Sequence, residues 1–393
     1  MYSSVKDKRG LVMKCESMIL PALTLLCLTL FCLAGCAVDN ETTGAATQTR
    51  EITDMAGRVR DVPVQIDRVF SAEPISAIYL YTLAPDKMIG WNYELNEVER
   101  SVILERYHSL PSFGMGDAIN HEAVIAADPD VALFVAAINE GTIGLVDDLE
   151  TRLGVPVLLV SNRLDETPDV YRFLGELLGE TLHAGKLAEY AEKTFSDIAG
   201  ITGITDTAGI TETTGITDTS AGGFSGEKRV RVYYGNGEDS LSTAPAGSTH
   251  GRILDMVNAI NVAELELGDG SRVQISPEQL LAWDPDVIIV NGEPRANMPG
   301  AAAAERILND PLYASLSAVR NGLVFGAPNA PFSWIDRPQG PNRIVGIRWL
   351  AKLLYPDFFD YDVNDEVREF YSLFYHVELT DEWLRQIYTG EFR

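Results

Sequence analysis

Short apolar runs alternate with helical segments along most of the chain. The runs VALFVA (131–136), VPVLLV (155–160) and DVIIVNG (286–292) are typical of buried strands. Segments such as HEAVIAA (121–127) and PEQLLAW (277–283) are typical of helices. Strands that alternate with helices predict βα units around mostly parallel sheets. An α/β fold is therefore expected.

The remaining segments extend this pattern. A hairpin is expected around Ala56 and Gly57, followed by a strand that ends near Ser71. ISAIYLYTLA (75–84) predicts a helix, and KMIGWN (87–92) predicts a second strand. The chain is expected to close with three helices, within NRIVGIRWLAKLLYP (342–356), NDEVREFYSLFYHV (364–377) and TDEWLRQIYTG (380–390).

One motif occurs twice. Asp-Pro-Asp-Val occupies 128–131 and 284–287, and in each copy a glutamate, Glu122 or Glu278, stands six residues before it. Asp-Pro ends a helix and sets an extended chain, so the tetrapeptide alone can be a common helix-to-strand connector. The matched glutamates and the similar strand patterns around both copies favour two lobes of similar βα design.

The rest of the sequence suggests how these lobes are organised. A helical period through 169–199 is expected to join them. The segment 200–227 repeats a six-residue unit three times, which is too few to bury a β-helix core, and predicts a surface insertion. The expected organisation is a signal peptide (1–35), a tether (36–50), an N-terminal lobe (51–168), a bridging helical segment (169–199), a low-complexity insertion (200–227) and a C-terminal lobe (228–393).

The N-terminus carries basic residues and then an apolar stretch that ends in LAGC (33–36). This order is typical of an export signal, although a run of this length could just span a membrane as an anchor. The same four residues resemble the lipobox of bacterial lipoproteins. The resemblance implies cleavage before Cys36 and a lipid on its sulfur. A lipid-anchored protein outside the cytoplasm is therefore expected.

Composition narrows the function further. The net charge of −26 argues against binding nucleic acid or an anionic membrane through a basic surface. All four cysteines lie at or before Cys36, which excludes a disulfide framework and a cysteine-based zinc site from the folded body. The five histidines are not paired at helical or strand spacing, which argues against a His-rich metal site. We find no G-x-S-x-G or H-E-x-x-H motif that would favour an enzyme.

Several motifs together resemble one family. They are RVFSAEP (68–74), LPSFGMG (110–116), NHEAVIAADPDVALFV (120–135), LGVPVLLV (153–160), ISPEQLLAWDPDVIIVNG (275–292) and the C-terminal helices. From residue 51 onward the chain is similar to the substrate-binding proteins of ABC importers for iron–siderophore complexes, haem and cobalamin, the class III periplasmic binding proteins.

The resemblance implies two Rossmann-like lobes, with mostly parallel sheets flanked by helices, bridged by one long helix. It also implies limited hinge motion, and a monomer is expected. The partners are expected to be ABC permease subunits, which dock one acidic residue of each lobe, here Glu122 and Glu278. A carboxylate at a helix N-terminus is available for a charge-assisted bond to arginine, although helix stabilisation alone is the alternative.

Ligands of open α/β sheets sit at the carboxyl ends of strands, and this rule selects the candidate cleft residues. In the first lobe they are Glu73, Trp91, Tyr93, Met115 and Asn139, and in the second Tyr234, His250, Asn291, Trp334 and Arg337. Aromatic and arginine side chains suit a flat or anionic metal complex. The expected ligand is a metal chelate (ferric siderophore, haem or corrinoid), with no resident cofactor or metal. An oxyanion such as molybdate or tungstate is the alternative, and a secreted enzyme on this fold is a remote one.

Overall fold

The computed structural model describes residues 48–202, 229–266, 272–293 and 298–392. The predicted signal peptide, the lipidation site Cys36, and nearly all of the predicted tether and insertion lie outside the described residues. Within the described ranges, no helix combines the length and the apolar character needed to cross a membrane.

Three parallel strands form the first sheet, in the order β3 (Val69–Ser71), β4 (Val131–Ala136) and β5 (Val157–Ser161). The predicted hairpin precedes it, with β1 (Thr49–Thr53) antiparallel to β2 (Val59–Pro63). The helices of this region are α1 (Pro74–Leu83), α2 (Glu97–Val102), α3 (His121–Ala126), α4 (Glu140–Leu153) and α5 (Thr167–Leu178).

The second sheet contains, within the described ranges, β6 (Arg231–Asn236), β7 (Ser242–Thr243), β8 (Ile260–Asn261), β9 (Val273–Gln274), β10 (Val287–Val290) and β11 (Val324–Gly326). Strands β11, β10, β6 and β8 are parallel, and β7 and β9 extend the sheet in the antiparallel sense. Its helices are α7 (Arg252–Met256), α8 (Pro277–Trp283), α9 (Gly300–Asn309), α10 (Ser317–Arg320), α11 (Asn342–Leu354), α12 (Val363–Tyr375) and α13 (Asp381–Thr389). The predicted α/β class and the three closing helices are confirmed.

The predicted bridging segment is two helices rather than one. α5 ends at Leu178 because Gly179 adopts a left-handed φ of 76°, which glycine tolerates for lack of a Cβ. α6 (Thr181–Thr202) begins two residues later. The two helices pack so closely that a Cβ added at Gly175 would lie 2.3 Å from that of Ala184. α6 therefore provides the long helix between the two sheets, and the exact lobe limits stay a prediction.

The predicted strand at 87–92 is present only as two isolated bridges, Val69–Met88 and Trp91–Ser112. Between them, Gly90 passes so close to Phe113 that an added Cβ would lie 2.4 Å from the ring. The chain packs here through this close approach, and a continuous hydrogen-bonded ladder does not form.

The C-terminal helices pack against α6 and connect it to the second sheet. Arg348 of α11 is 1% exposed, and its guanidinium donates to Thr194 Oγ1 at 2.8 Å and to Asp197 Oδ2 at 2.9 Å, both on α6. Its Nε also lies 3.0 Å from Glu366 Oε2 of α12. Buried residues of α1, α6, α11 and α12 belong to one hydrophobic core that joins the two sheets on this side.

Candidate functional site

The loop that follows β11 brings the second sheet against the first. Arg343, at the start of α11, is 3% exposed, and its Nη2 donates to the carbonyl of Asn162, just beyond the carboxyl end of β5. A Cβ added at Gly340 would contact Ile78 of α1 at 3.3 Å. The carboxyl ends of strands from both sheets therefore border the same interlobe cleft, where ligands of open α/β sheets bind.

Buried polar atoms without a partner collect near these strand ends. In the described part of the chain, Ser71 Oγ, Asn92 Oδ1, Asn236 Nδ2 and Asn329 Oδ1 are enclosed and make no hydrogen bond. Ser71 ends β3, Asn236 ends β6, and Asn329 follows β11 closely. Most buried polar groups in proteins are hydrogen-bonded, so a concentration of exceptions marks a candidate functional site.

A cavity of about 610 Å³ opens between the lobes at the β11 end of the cleft. On the side of the first lobe it is lined by Leu95, Asn96, Glu97, Val98 and Arg100. The opposite wall comes from the start of α9, the residues after β11 and the C-terminal helix, with Tyr388 and Phe392 as its aromatic members. Its lining thus combines apolar and aromatic surface with a few polar groups, as small-molecule sites do.

A charged cluster centred on Asp336 lies in the loop after β11. The Asp336 side chain is 0% exposed, and its two carboxylate oxygens accept hydrogen bonds from His250 Nδ1 and, at 2.5 Å, from Arg272 Nη2. Burial raises the pKa of Asp336, but the bonds from His250 and Arg272 outweigh it and hold that pKa below its usual value. The neighbouring Arg337 is exposed and has no hydrogen-bond partner among the described residues.

Hydrogen bonds connect this cluster to the cavity. Ser333 Oγ accepts from the backbone N–H of Asp336 at 3.4 Å and donates to Asn291 Oδ1 at 2.7 Å. The Asn291 carbonyl in turn accepts from Asn329 Nδ2 at 2.9 Å, and Asn329 lines the cavity. One polar network therefore extends from the Asp336 cluster to the cavity wall. In the described ranges no group of three or more His, Cys, Asp or Glu side chains is placed to hold a metal ion.

Four of the predicted cleft residues in the first lobe reach the surface. Glu73 is partly buried, and burial raises its pKa although the Gly116 N–H donates to its carboxylate. Tyr93 is partly exposed and donates to Glu99 Oε1, Met115 is 41% exposed, and exposed Asn139 caps α4. In the second lobe, His250 and Arg337 are also accessible.

Three predicted ligand contacts are instead packing residues. Trp91 is 5% exposed and donates its Nε1–H to the Tyr107 carbonyl. Trp334 is 0% exposed, and its Nε1–H bonds to Tyr371. Tyr234 is 1% exposed, and its hydroxyl donates to the side chain of Asn236. The expectation that these three rings face a ligand is wrong, because each completes the core behind the cleft.

Comparison with known proteins agrees with this architecture. The model of the family described as Periplasmic binding protein matches residues 220–331. An ABC transporter solute binding protein from Sulfurospirillum deleyianum has a similar structure, with a TM-score of 0.72 and 27% sequence identity, covering 86% of this chain and 99% of that one. The chain is a solute-binding protein of an ABC transporter. Proteins of this kind act outside the cytoplasm, bind a small ligand and work with permease subunits; they are not enzymes.

Two further solved structures share the fold of this solute-binding protein. A periplasmic solute binding protein from Veillonella parvula has a TM-score of 0.65 and 22% identity, covering 87% of this chain and 97% of that one. The molybdate periplasmic binding protein MolA of Haemophilus influenzae, bound to molybdate, has a TM-score of 0.63 and 23% identity, covering 84% and 99%. No curated protein matches the sequence.

The two glutamates of the solute-binding protein occupy matching places in the two lobes. Glu122 is the second residue of α3, which Asn120 caps by accepting from the Ala123 N–H. Glu278 is the second residue of α8, which Ser276 caps in the same way. Both glutamates are exposed. Hydrogen bonds from its own backbone N–H and from Ser276 lower the pKa of Glu278, so it is a carboxylate at neutral pH.

Sequence reasoning missed several residues of the site. The list of cleft residues predicted from sequence omits Arg272, Asn236 and Asn329. Asn236 is the last residue of β6, after an apolar run. Since ligands bind at the carboxyl ends of strands, its position in the sequence could have identified it. Arg272 lies in a segment without clear strand or helix periodicity, so only the fold reveals that it neutralises Asp336.

Proposed function

We propose that this solute-binding protein delivers a metal chelate, of the ferric siderophore, haem or corrinoid type, to an ABC importer. The interlobe cavity of about 610 Å³ carries the proposal, because it lies within the size range of sites for small organic ligands. A bare tetrahedral oxyanion would leave most of such a space unfilled. Tyr388 and Phe392 offer ring surface to the organic part of a chelate.

Cationic groups near the cavity favour a chelate with anionic oxygens. Arg100 lines the cavity and uses its Nε to bind the Leu95 carbonyl at 2.8 Å, while its terminal nitrogens bond to no other described residue. Arg337 is exposed beside Asp336, whose charge Arg272 already balances. Guanidinium groups whose terminal nitrogens have no bond to another described residue are suited to bidentate bonds with ligand oxygens.

An oxyanion such as molybdate or tungstate is the second candidate. The observation that favours it is the set of donors at Asp336, because His250 and Arg272 both bond to its carboxylate and the exposed Arg337 is the next residue of the chain. A tetrahedral anion held by these three groups would not need the larger cavity. The molybdate-binding protein of Haemophilus influenzae shares the fold.

We further propose that Cys36 carries a lipid that anchors the protein to the cell membrane, on its outer face or its periplasmic side, and that Glu122 and Glu278 dock onto arginines of the permease. The matched, exposed positions of the two glutamates at helix N-termini support the docking proposal. Two carboxylates, one on each lobe, would let the permease recognise both lobes at once.

A binding screen tests the function. Purified protein is titrated with haemin, aquacobinamide, two ferric hydroxamates and molybdate, and binding is followed by tryptophan fluorescence and calorimetry. We expect saturable binding of a chelate at about micromolar concentration or below, the range of useful capture. Saturable binding of molybdate together with no response to any chelate would establish the second candidate instead. Mass spectrometry of the membrane-extracted protein tests the lipid on Cys36.

A further inference from the structure

The end of α1 is held by two histidines from other parts of the fold. A helix leaves the carbonyls of its last turn unpaired, and Pro85, just after α1, has no N–H to offer them. His183 Nε2 lies 3.1 Å from the Thr82 carbonyl oxygen. His376 Nε2 lies 3.4 Å from the Tyr81 carbonyl oxygen. Because a carbonyl only accepts hydrogen bonds, both Nε2 atoms carry a proton and donate it, and the two imidazoles together cap α1.

These two residues, which we call the histidine pair, meet where the lobes join. His183 is the third residue of α6, the long helix between the two sheets. His376 follows α12, and its left-handed φ of 62° turns the chain at the end of that helix. The helix they cap, α1, belongs to the first lobe. The histidine pair therefore connects the first lobe to the helix between the sheets and to the C-terminal helices.

The rings of the histidine pair lie close enough for their charges to interact. Their centroids are 5.6 Å apart, with an angle of 42° between the ring planes, and both residues are partly buried. Protonation of Nδ1 leaves the Nε2–H bonds to α1 in place but adds a positive charge to each ring. The negative end of the α1 dipole favours one such charge. A second charge at this distance repels the first, because partly buried charges are screened less than exposed ones.

The groups around the histidine pair leave this repulsion in place. Arg106 Nε lies 3.9 Å from Asp86 Oδ1, and both side chains are mostly exposed, so water screens their effects. The Tyr107 hydroxyl also donates to Asp86. The Tyr81 ring lies 5.9 Å from that of His376, and burial raises the pKa of Tyr81 to about 12, so it stays neutral.

The folded protein resists protonation of His376. Burial lowers the pKa of His376 from its ordinary value of 6.5, although the bond to the Tyr81 carbonyl opposes this. Positive charge on His183 and on Arg106 lowers that pKa further. A histidine whose pKa is lowered on folding binds its proton more tightly in the unfolded chain. Its contribution to stability is therefore complete above pH 6.5 and is lost as the pH falls through the lower folded value.

We propose that the histidine pair is an acid-sensitive clamp between the lobes. In the neutral state it holds the end of α1 against α6 and α12, and protonation of both rings loosens this joint. The inference concerns the joint alone and does not depend on which ligand the cleft binds. A solute-binding protein outside the cytoplasm is exposed to the pH of its surroundings, so acid can reach this joint directly.

Urea denaturation at about pH 7.5 and about pH 5.5, on either side of the histidine range, tests the clamp. The proteins are the wild type, His183→Gln, His376→Asn and the double variant. Glutamine and asparagine keep an N–H donor but do not titrate, and asparagine tolerates the left-handed φ of His376. Asp255 titrates in the same range in every variant and cancels in the comparison.

We expect the urea midpoint of the wild type to fall relative to that of the double variant as the pH is lowered. His376→Asn should remove most of this difference. His183→Gln should remove a part of it, because the burial of His376 remains. A double variant with the pH dependence of the wild type would overturn the clamp. The same dependence in His183→Gln would overturn it too, since His376 would then act through its own burial and not as one of a pair.

His121→Gln is the matched control. His121 begins α3, and within the described residues no hydrogen bond or ring contact joins it to the histidine pair. This variant should keep the pH dependence of the wild type.

Hydrogen exchange of the wild type decides the question if a variant does not fold. After correction for the effect of pH on the intrinsic rate, the amides of 78–89 and 370–380 should exchange about threefold faster or more at the lower pH. Those of α9, which packs on the second sheet, should keep their protection. Equal protection of 78–89 and 370–380 at the two pH values would overturn the proposal.

Discussion

Arg68 and Arg231 hold the two Asp-Pro-Asp-Val motifs in the same way. Arg68, just before β3, donates from its guanidinium to the carbonyls of Ala127 and Asp128 at the end of α3. Arg231, the first residue of β6, donates to the equivalent carbonyls of Trp283 and Asp284 at the end of α8. The first aspartate of each motif has a left-handed φ, 46° at Asp128 and 40° at Asp284. The repeated tetrapeptide is therefore a structural junction that both lobes share.

The third residue of each motif closes the junction. Asp130 Oδ2 accepts from the Arg68 backbone N–H at 2.8 Å, and Asp286 Oδ2 accepts from that of Arg231 at 3.0 Å. We expect Asp130→Ala or Asp286→Ala to lower the free energy of unfolding by about 1.5–3 kcal/mol, the range for hydrogen bonds to a charged group. Chemical denaturation measures this change. Asp148→Ala, on the exposed side of α4, is the control and should change stability by less than about 0.5 kcal/mol. If Asp148→Ala lowered the free energy of unfolding as much as Asp130→Ala or Asp286→Ala, the junction hydrogen bonds would contribute no more to stability than an exposed ion pair.

The regular alternation of strands and helices predicted this architecture well, because buried parallel strands are continuous apolar runs that local sequence shows directly. The pairing of Glu122 with Glu278 was also visible, since it depends only on spacing. The break at Gly179 was missed because the apolar period continues in phase across it. Trp91 and Trp334 were misassigned for another reason: a tryptophan near a strand end has the same local pattern whether it faces a ligand or the core. The orientation of His250 depends on Asp336 and Arg272, distant in sequence, and only the fold brings them together.

Permease docking predicts a loss of transport without a loss of ligand binding. Charge reversal at both Glu122 and Glu278 should abolish import in cells, because each arginine partner would then meet a like charge. Either single reversal should weaken import less than the pair does. The control is Glu140→Arg. Glu140 is an exposed acid in the first turn of α4, but it does not stand six residues before an Asp-Pro-Asp-Val motif. Normal import by the double variant at equal protein level would refute the docking role.

Asp255 predicts a pH-dependent stability. Desolvation in α7 raises its pKa from 3.8 to about 6, despite the opposing charges of Arg252 and Arg229. A carboxyl whose pKa is raised on folding stabilises the protein only while protonated, and that contribution is lost as the pH rises through about 6. Asp255→Asn should therefore be more stable than the wild type by about 1–2 kcal/mol near neutral pH.

The advantage of Asp255→Asn should shrink as the pH falls and vanish below the unfolded value of 3.8. Urea denaturation at several pH values measures it, with Asp169→Asn, an exposed substitution on α5, as the control. An advantage that is independent of pH would mean that asparagine acts through packing and not through the charge.

The start of α9 predicts how the cavity recognises anions. α9 has Pro299 as its N-cap, with no side-chain cap and no acidic residue in its first turn, and the cavity lies against Pro299, Gly300 and Ala301. The free N–H groups and the positive end of the helix dipole favour a negative ligand group there. Ala301→Asp places a fixed carboxylate in that position. It should lower the affinity for anionic chelates by about tenfold, a change of ~1.4 kcal/mol.

The same substitution should not harm the fold, because an acid in the first turn of a helix stabilises it by about 0.3–1 kcal/mol. This separates a binding defect from unfolding: Ala301→Asp should melt at or above the wild-type temperature while binding more weakly. Ala302→Asp is the matched control, since Ala302 belongs to the same first turn but does not line the cavity. It should share the stabilisation and keep wild-type affinity. Wild-type affinity in Ala301→Asp itself would mean that the ligand does not reach this end of the cleft, and would direct the search to the donors around Asp336.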